Sequence, residues 1–195
     1  MRRAFWIVCA VALIAVVAIG LSQAGGDEEA SGGTAAAPFD LQAALGRLEG
    51  SPAPLAALHA QSNQLLDGGR KAFEARRDEL EGTPMVINKW ASWCGPCRAE
   101  FPYFQALATA RGKEVAFVGV NSGDKRPAAV KFLREFPLPY PSYVDPDEDI
   151  ARAIEAPANY PMTVFVDRKG KTFVKPGGYA SEAALAADID RYLGA

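Results

Sequence analysis

The chain opens with a long hydrophobic block. Within residues 1–21, an uncharged stretch of 18 residues follows Arg2 and Arg3, and roughly 20 apolar residues span the core of a bilayer. Acidic residues come soon after the block, at positions 27–29. Because positive charge marks the cytoplasmic end of such a segment, the pattern predicts a membrane anchor or signal over residues 1–21, with the remainder of the chain exported.

Residues 22–38 separate this block from the rest of the chain and are rich in Gly, Ala and Ser. Such a composition is typical of a flexible linker, which either gives a domain reach or acts as a plain spacer. The small residues at positions 22–24 also fit a signal-peptidase site. A cleaved signal peptide, and hence a secreted protein, is therefore the alternative to a retained anchor.

Residues 39–82 carry leucines at helical spacing and are predicted to form a helical extension packed on the domain that follows. Leu41, Leu45 and Leu48 fall on one face of a first helix. Leucines between positions 55 and 66 continue at looser spacing into a second helix, and a third follows the glycines after it. No residue pattern in this extension indicates chemistry.

Beyond the extension, short apolar, β-rich segments alternate with amphipathic ones. This alternation predicts an α/β domain over residues 83–195, with a partly parallel sheet covered by helices on both faces. A turn at Arg168-Lys169-Gly170 predicts a terminal hairpin that adds an antiparallel edge. The predicted strands are residues 84–91, 114–121, 142–145, 162–167 and 172–175, and the predicted helices are residues 97–110, 125–136, 147–155 and 181–193, with Ser181 as the N-cap of the last helix.

Composition and charge narrow the functional class. Of the 195 residues, 49% are hydrophobic and 23% are charged, as in a globular domain and unlike a disordered chain. The formal net charge of -2 provides no basic field for nucleic acid, so no nucleic-acid partner is predicted. His59 is the single histidine, which excludes a metal site built from several histidines. We predict neither a metal nor a cofactor.

Cys94 and Cys97 form a C-x-x-C pair within Trp93-Cys94-Gly95-Pro96-Cys97, where the first predicted strand of the domain meets its first helix. Side chains three residues apart at a helix start are about 5–6 Å apart, near the distance that a disulfide needs. Pro96 suits the first helical turn, and the positive end of the helix stabilises a thiolate at Cys94. The pair is therefore predicted to be a redox-active disulfide, with Cys94 as the exposed attacking thiolate and Cys97 as the half-buried resolving thiol.

Two other interpretations of the pair are weaker. Half a zinc site would need a second cysteine pair or two histidines, and the third cysteine, Cys9, lies inside the apolar block. A purely structural disulfide would close so short a loop that it would stabilise the fold little. Redox chemistry is the interpretation that fits both the motif and its context.

Residues 88–104 read NKWASWCGPCRAEFPYF and resemble the TlpA/ResA/DsbE branch of the thioredoxin-like superfamily. The resemblance extends from about residue 83 to residue 193, more than half of the chain. It implies a thioredoxin-like three-layer sandwich, a mixed sheet flanked by helices. It also implies a membrane-tethered, extracytoplasmic thiol–disulfide oxidoreductase, of a kind often linked to cytochrome c maturation.

The resemblance further implies a substrate-binding set around the disulfide. Pro161 matches the cis-proline that faces the active-site disulfide in thioredoxin-like proteins. A cis peptide bond there leaves the backbone of Tyr160 free to bind a substrate chain. Together with Trp93, Gly95 and Pro96, these two residues form the predicted set.

Charged and polar residues near the motif receive different predictions. Asn88 stands at the position of thioredoxin's buried aspartate, so it is not expected to act as a base. Glu100 matches a glutamate of ResA-like proteins and lies on the same helical face as Cys97. If it is partly buried, its pKa rises and it can exchange protons with Cys97; the alternative is a solvated acid in the first helical turn. Lys89 and Arg98 flank the motif, where positive charge can favour the thiolate electrostatically, although such charges are more often simply solvated.

Together these features predict an enzyme that exchanges disulfides with extracytoplasmic proteins, with the reducing direction favoured. The expected partners are proteins with disulfides or dithiols and a membrane electron donor, and the expected location is the outer face of the cell membrane. A thiol peroxidase of the peroxiredoxin kind is one alternative, although Trp93 before Cys94 fits it poorly. A tethered, non-enzymatic thiol-binding chaperone is another. The physiological substrate and the direction of transfer are not encoded in the motif.

Overall fold

One mixed sheet of six strands runs through the computed structural model, which describes residues 38–157 and 159–194. The predicted anchor over residues 1–21 lies outside the described residues, as does the predicted linker before Pro38. None of the described helices is both long enough and apolar enough to cross a bilayer. The unit from Phe39 onward carries every element named below.

The sheet is mostly parallel, and its antiparallel part lies in the last two strands. The strands are β1 (Leu65–Leu66), β2 (Met85–Trp90), β3 (Ala116–Ser122), β4 (Ser142–Asp145), β5 (Met162–Val166) and β6 (Thr172–Pro176). Their spatial order is β1-β4-β3-β2-β5-β6, with β2 parallel to β3 and antiparallel to β5. The predicted mixed sheet with an antiparallel edge is thereby confirmed.

Helices cover both faces of this sheet. They are α1 (Leu41–Leu48), α2 (Ala53–His59), α3 (Gly69–Glu79), α4 (Gly95–Arg111), α5 (Arg126–Glu135), α6 (Asp149–Ala153) and α7 (Glu182–Leu193). Successive side chains of β2 point to opposite faces, so Val86 and Trp90 join one hydrophobic cluster while Met85 and Ile87 join another. The first cluster contains residues of α4, α5 and α7, and the second contains residues of α2, α3 and α6. This arrangement confirms the predicted three layers.

Part of the predicted N-terminal extension forms a strand instead of a helix. Leu65 and Leu66 pair in parallel with Ser142 and Tyr143 at the free edge of β4, and the backbone N–H of Ser142 donates to the carbonyl of Gln64 at 2.9 Å. The prediction of one helix through positions 55–66 was therefore wrong at its end. Leucine spacing alone did not reveal a pairing partner located about 77 residues further along the chain.

Candidate active site

The C-x-x-C pair lies at the carboxyl end of β2, where the chain turns into α4. This helix begins at Gly95, two residues earlier than predicted, with Cys94 as its N-cap. The sulfur of Cys94 accepts a hydrogen bond from the backbone N–H of Cys97 at 3.1 Å. A disulfide joins the two cysteines across a Cα–Cα distance of 5.3 Å. The sulfurs are therefore close enough to bond, and that of Cys94 faces a backbone donor at the helix N-terminus.

Access to the disulfide is narrow in this oxidised form. Cys97 is fully buried and 4% of Cys94 is exposed, so Cys94 is less accessible than its predicted place at an exposed edge implies. The neighbouring Gly95 and Pro96 are exposed, and so is 60% of Trp93. A thiolate that attacks the disulfide therefore reaches Cys94 rather than Cys97.

Asp124 holds the turn that precedes the disulfide, a role that the sequence analysis missed. Its carboxylate accepts hydrogen bonds from the backbone N–H of Ser92 at 2.6 Å and from the Ser92 hydroxyl at 2.9 Å. It also accepts from the Asn121 side chain at 2.9 Å and from the Lys125 N–H at 2.7 Å. Its position just after β3 could have indicated this role, because the carboxyl ends of parallel strands meet at one edge of a sheet.

The predicted substrate-binding residues Trp93 and Tyr160 lie in contact. Their ring centroids are 4.7 Å apart, and the indole N–H of Trp93 donates to the carbonyl of Gly123 at 3.1 Å. The peptide bond between Tyr160 and Pro161 is cis. The Tyr160 hydroxyl donates to Glu148 at 2.8 Å, and burial together with this bond raises the pKa of Tyr160. Tyr160 is thus a fixed, half-buried ring beside the residue that precedes Cys94.

Glu100 is completely buried, which excludes the alternative of a solvated acid in the first helical turn. Its carboxyl accepts hydrogen bonds from the Asn88 side chain at 3.0 Å and from the backbone N–H of Tyr179 at 3.1 Å. Neither cysteine is among its described hydrogen-bond partners. A Cβ placed on Gly178 would lie 3.4 Å from this carboxyl and 3.2 Å from the Pro161 ring, so Glu100 and Pro161 adjoin the same glycine.

Burial raises the pKa of Glu100 from its ordinary value of 4.5 to about 7. The hydrogen bonds from Tyr179 and Asn88, together with the positive charge of Lys175, act in the opposite direction and are outweighed. A carboxyl with this pKa gains and loses a proton close to neutral pH. It is therefore suited to general acid–base chemistry.

The two basic residues beside the motif differ in their surroundings. Arg98 is partly exposed and pairs with Glu135 at 2.8 Å, as expected for a solvated charge. Lys89 is fully buried and forms an ion pair with Glu148 at 3.9 Å, so the expectation that it is solvated was wrong. Its position in β2 could have indicated its burial, since β2 is fully buried and each residue of such a strand faces packed structure.

Comparison with known proteins places this site among thiol–disulfide exchange proteins. The Redoxin family profile matches residues 48–178. The thiol-disulfide oxidoreductase ResA of Geobacillus kaustophilus is 29% identical, over 63% of this chain and 68% of its own length. The thiol:disulfide interchange protein HelX of Rhodobacter capsulatus is 31% identical, over 73% of this chain and 79% of its own length. Against several other ResA and DsbE relatives, the chain spans 50 to 62% of their length.

A solved structure shows the same fold. The structure of MTB dsbF in its mixed oxidized and reduced forms superposes with a TM-score of 0.55 at 29% sequence identity, covering 59% of this chain and 84% of that chain. This likeness confirms the predicted thioredoxin-like sandwich. The sequence relatives confirm the predicted resemblance to the ResA and DsbE proteins.

Proposed function

This chain belongs to the Redoxin family, and from that premise we propose that it is an extracytoplasmic thiol–disulfide oxidoreductase that acts on proteins. One observation carries the proposal. Cys94 and Cys97 are joined at the N-terminus of α4, with Cys97 fully buried and Cys94 4% exposed beside an exposed tryptophan. This asymmetry gives the two sulfurs the separate tasks of attack and resolution that exchange requires.

In the reducing direction, the Cys94 thiolate attacks one sulfur of a substrate disulfide, and the other substrate sulfur leaves as a thiolate that takes up a proton. The Cys97 thiol then loses its proton and attacks the sulfur of Cys94, which releases the second substrate sulfur as a thiol. Two electrons pass to the substrate, and the Cys94–Cys97 disulfide remains. An external dithiol, assigned here to a membrane electron donor, returns two electrons and restores both thiols.

The start of α4 supports the role of Cys94 as the attacking group. The Cys97 N–H donates to the sulfur of Cys94, and this sulfur lies at the positive end of the helix dipole. Both features favour negative charge at this position, where helix N-termini lower a thiol pKa from about 8.5 to roughly 3.5–7.5. The attacking thiolate is therefore assigned to Cys94.

Glu100 supports the resolving step as a proton carrier for Cys97. It lies one helical turn after Cys97 and is likewise buried, so bulk water reaches neither group. With a pKa of about 7, the carboxyl is able to accept the proton that Cys97 must lose before it attacks. The same group returns the proton when the couple runs in the opposite direction.

The surface around Cys94 supports binding of a protein chain. Trp93 offers an exposed ring, while Gly95 and Pro96 present little side chain to obstruct an approaching backbone. The backbone of Tyr160, immediately before Pro161, is the assigned pairing partner for a substrate in extended conformation. Such pairing fixes the substrate disulfide next to Cys94 and increases the rate of attack.

The cellular setting follows from the N-terminal sequence and the relatives. The predicted anchor over residues 1–21 holds the domain on the outer face of the cytoplasmic membrane, and residues 22–38 serve as its tether. Proteins with disulfides or dithiols on that side are the substrates. The resemblance to the ResA and DsbE branch extends this proposal to cytochrome c maturation.

A turbidity assay of insulin reduction tests the proposal, with peroxide consumption measured in parallel. The reduced protein should cleave insulin disulfides, and Cys94→Ser should abolish the activity because no attacking thiolate remains. Cys97→Ser should accumulate a mixed disulfide between Cys94 and insulin, since the resolving thiol is missing. Consumption of peroxide without insulin reduction would instead identify a thiol peroxidase, and inactivity in both assays would leave the tethered chaperone.

A further inference from the structure

Lys89 is a buried charge with no part in the thiol chemistry described above. Side chains alternate along β2, so Lys89 points to the face opposite that of Asn88 and Glu100. None of its side chain is exposed. Its ion-pair partner Glu148 is the N-cap residue of α6 on that opposite face.

The ammonium group of Lys89 contacts one segment of the chain repeatedly. It donates a hydrogen bond to the carbonyl of Pro157 at 3.0 Å and another to the carbonyl of Asn159 at 3.4 Å. It lies 3.9 Å from the centre of the Tyr160 ring, within the range of a cation–π interaction. The Glu148 carboxylate, 3.9 Å away, supplies the opposite charge. Three of these four contacts hold the residues that lead into the cis-proline.

The Tyr160 ring connects this buried charge to Trp93, the residue before Cys94. One side of the ring meets Lys89, and the ring also packs against Trp93 with centroids 4.7 Å apart. The hydroxyl is bound to Glu148 at 2.8 Å, and a Cβ on Gly123 would lie 2.9 Å from it, so a larger residue there would displace the ring. The Tyr160 ring therefore contacts both Lys89 and Trp93.

Packing alone does not account for a lysine at this position. The neighbouring β2 residues Ile87 and Trp90 fill the two faces of the sheet with apolar groups. A buried ammonium is costly to desolvate, and burial lowers the pKa of Lys89 while Glu148 and Asp145 act to raise it. The charge of Lys89 attracts the two carbonyls, the Tyr160 ring and the Glu148 carboxylate. An apolar side chain would not attract them.

We infer that Lys89 is a positioning residue for protein substrates, because it fixes the segment that leads into Pro161 and holds the Tyr160 ring against Trp93. The inference rests on the proposed function. An extended substrate that pairs with the Tyr160 backbone depends on this placement, whereas a small disulfide that meets only Cys94 depends on it much less. Lys89 thereby favours disulfides within a peptide over small free disulfides.

The test compares two substrates in single-turnover oxidation of the reduced protein, followed by tryptophan fluorescence. One substrate is a peptide with a single disulfide, and the other is the uncharged hydroxyethyl disulfide. Lys89→Met keeps an unbranched side chain, one heavy atom shorter, and removes the ammonium charge. The ratio of the peptide rate to the small-disulfide rate should fall about ten- to a hundredfold, since misplacement of a binding group slows only the reaction that uses it.

Lys171→Met is the matched control, because Lys171 also lies over an aromatic ring, that of Phe173 at 4.6 Å, on the terminal hairpin. Its rate ratio should equal that of the unaltered protein. An unchanged ratio in folded Lys89→Met, or an equal fall in both rates, would overturn the inference. Failure of the unaltered protein to reduce either substrate would instead refute the proposed function.

A second measurement leaves Lys89 in place and covers the case in which Lys89→Met does not fold. In Cys97→Ser labelled with ¹⁵N-lysine, Cys94 is joined either to the peptide or to mercaptoethanol as a stable mixed disulfide. The slowly exchanging ammonium signal of buried Lys89 should shift between the two adducts, because the peptide pairs with the segment that the ammonium holds. Identical signals in both adducts would contradict the positioning role.

Discussion

At the residue scale, the buried carboxyl of Glu100 links the stability of the protein to pH. Its pKa is raised from 4.5 in the unfolded chain to about 7 in the folded one, so folding favours the protonated form. The resulting stabilisation is complete below about pH 4.5 and is lost as the pH rises through about 7, amounting to about 3 kcal/mol across this range. Urea denaturation of the oxidised protein at several pH values measures it.

The variant Glu100→Gln removes this titration with little change of shape. The Asn88 side-chain oxygen has no described hydrogen-bond partner, so its amide can rotate to accept from the new amide. The free energy of unfolding of the variant should therefore depend less steeply on pH between 4.5 and 8 than that of the unaltered protein. Equal pH dependence in the two proteins would show that Glu100 does not titrate as described.

The same substitution should change the kinetics of the resolving step. Without the carboxylate, Cys97 must lose its proton unaided, so the release of substrate from the mixed disulfide at pH 7 should slow about a hundredfold. The rise of this rate with pH should also move to higher pH, toward the ordinary thiol range. Stopped-flow rates from pH 5 to 9 measure both changes, with the partly exposed Glu135→Gln as control. A profile that matches the unaltered protein would remove Glu100 from the mechanism.

Sequence alone identified the two cysteines that the structure joins as a disulfide, but it did not identify the surroundings of the residues beside them. Cys94 and Cys97 were found because their spacing and the adjoining proline carry the chemistry locally. Whether Glu100 is solvated or buried depends on Tyr179, which is 79 residues away. Lys89 was expected in solvent, yet its partners Pro157 and Asn159 lie about 70 residues further on. Such contacts arise only when the sheet brings distant segments together.

At the scale of elements, Asp124 ties the end of β3 to the turn between β2 and α4. Its carboxylate accepts four hydrogen bonds, two of them from Ser92. Asp124→Asn replaces one acceptor oxygen by a donor group, so at least one backbone N–H, that of Ser92 or that of Lys125, loses its acceptor. The variant should lose about 1–3 kcal/mol of stability, as measured by chemical denaturation.

Asp67→Asn is the control for this prediction, since Asp67 pairs with Arg126 at 2.7 Å on the surface with 77% of its side chain exposed. Its stability should change by less than about 1 kcal/mol. A loss of stability in Asp124→Asn as small as that in Asp67→Asn would show that Asp124 does not hold the turn. A large effect confined to Asp124 would support the tie between β3 and the turn.

The elements that were predicted correctly are those with a strong local pattern. β2 and β3 form continuous buried runs, and the last helix begins at the predicted N-cap, where Ser181 accepts from the N–H of Ala184. β1 was missed because two leucines are too few to show the alternating pattern of a strand. They form a strand only because they pair with the edge of β4. The early start of α4 was missed because its first turn contains Gly95 and Pro96, which interrupt the apolar pattern.

At the scale of the whole molecule, the described unit carries its own core and the apolar N-terminal block stands apart in sequence. A chain that starts at Pro38 should therefore fold and remain in the soluble fraction. The full chain should fractionate with membranes and resist a salt wash, because the block over residues 1–21 is held by hydrophobic burial. Recovery of a soluble form that begins at Gly25 would show that the segment is a cleaved signal instead.

Cys94 and Cys97 are expected to form and break their disulfide reversibly while a partner thiol can reach them. A redox titration of the purified chain in dithiol–disulfide buffers, read by alkylation of free thiols and mass spectrometry, tests it most directly. One two-electron transition should appear, in which the ratio of dithiol to disulfide changes tenfold per roughly 30 mV and both cysteines become alkylated together. A disulfide that resists reduction across the whole range, or thiols that never join, would contradict it.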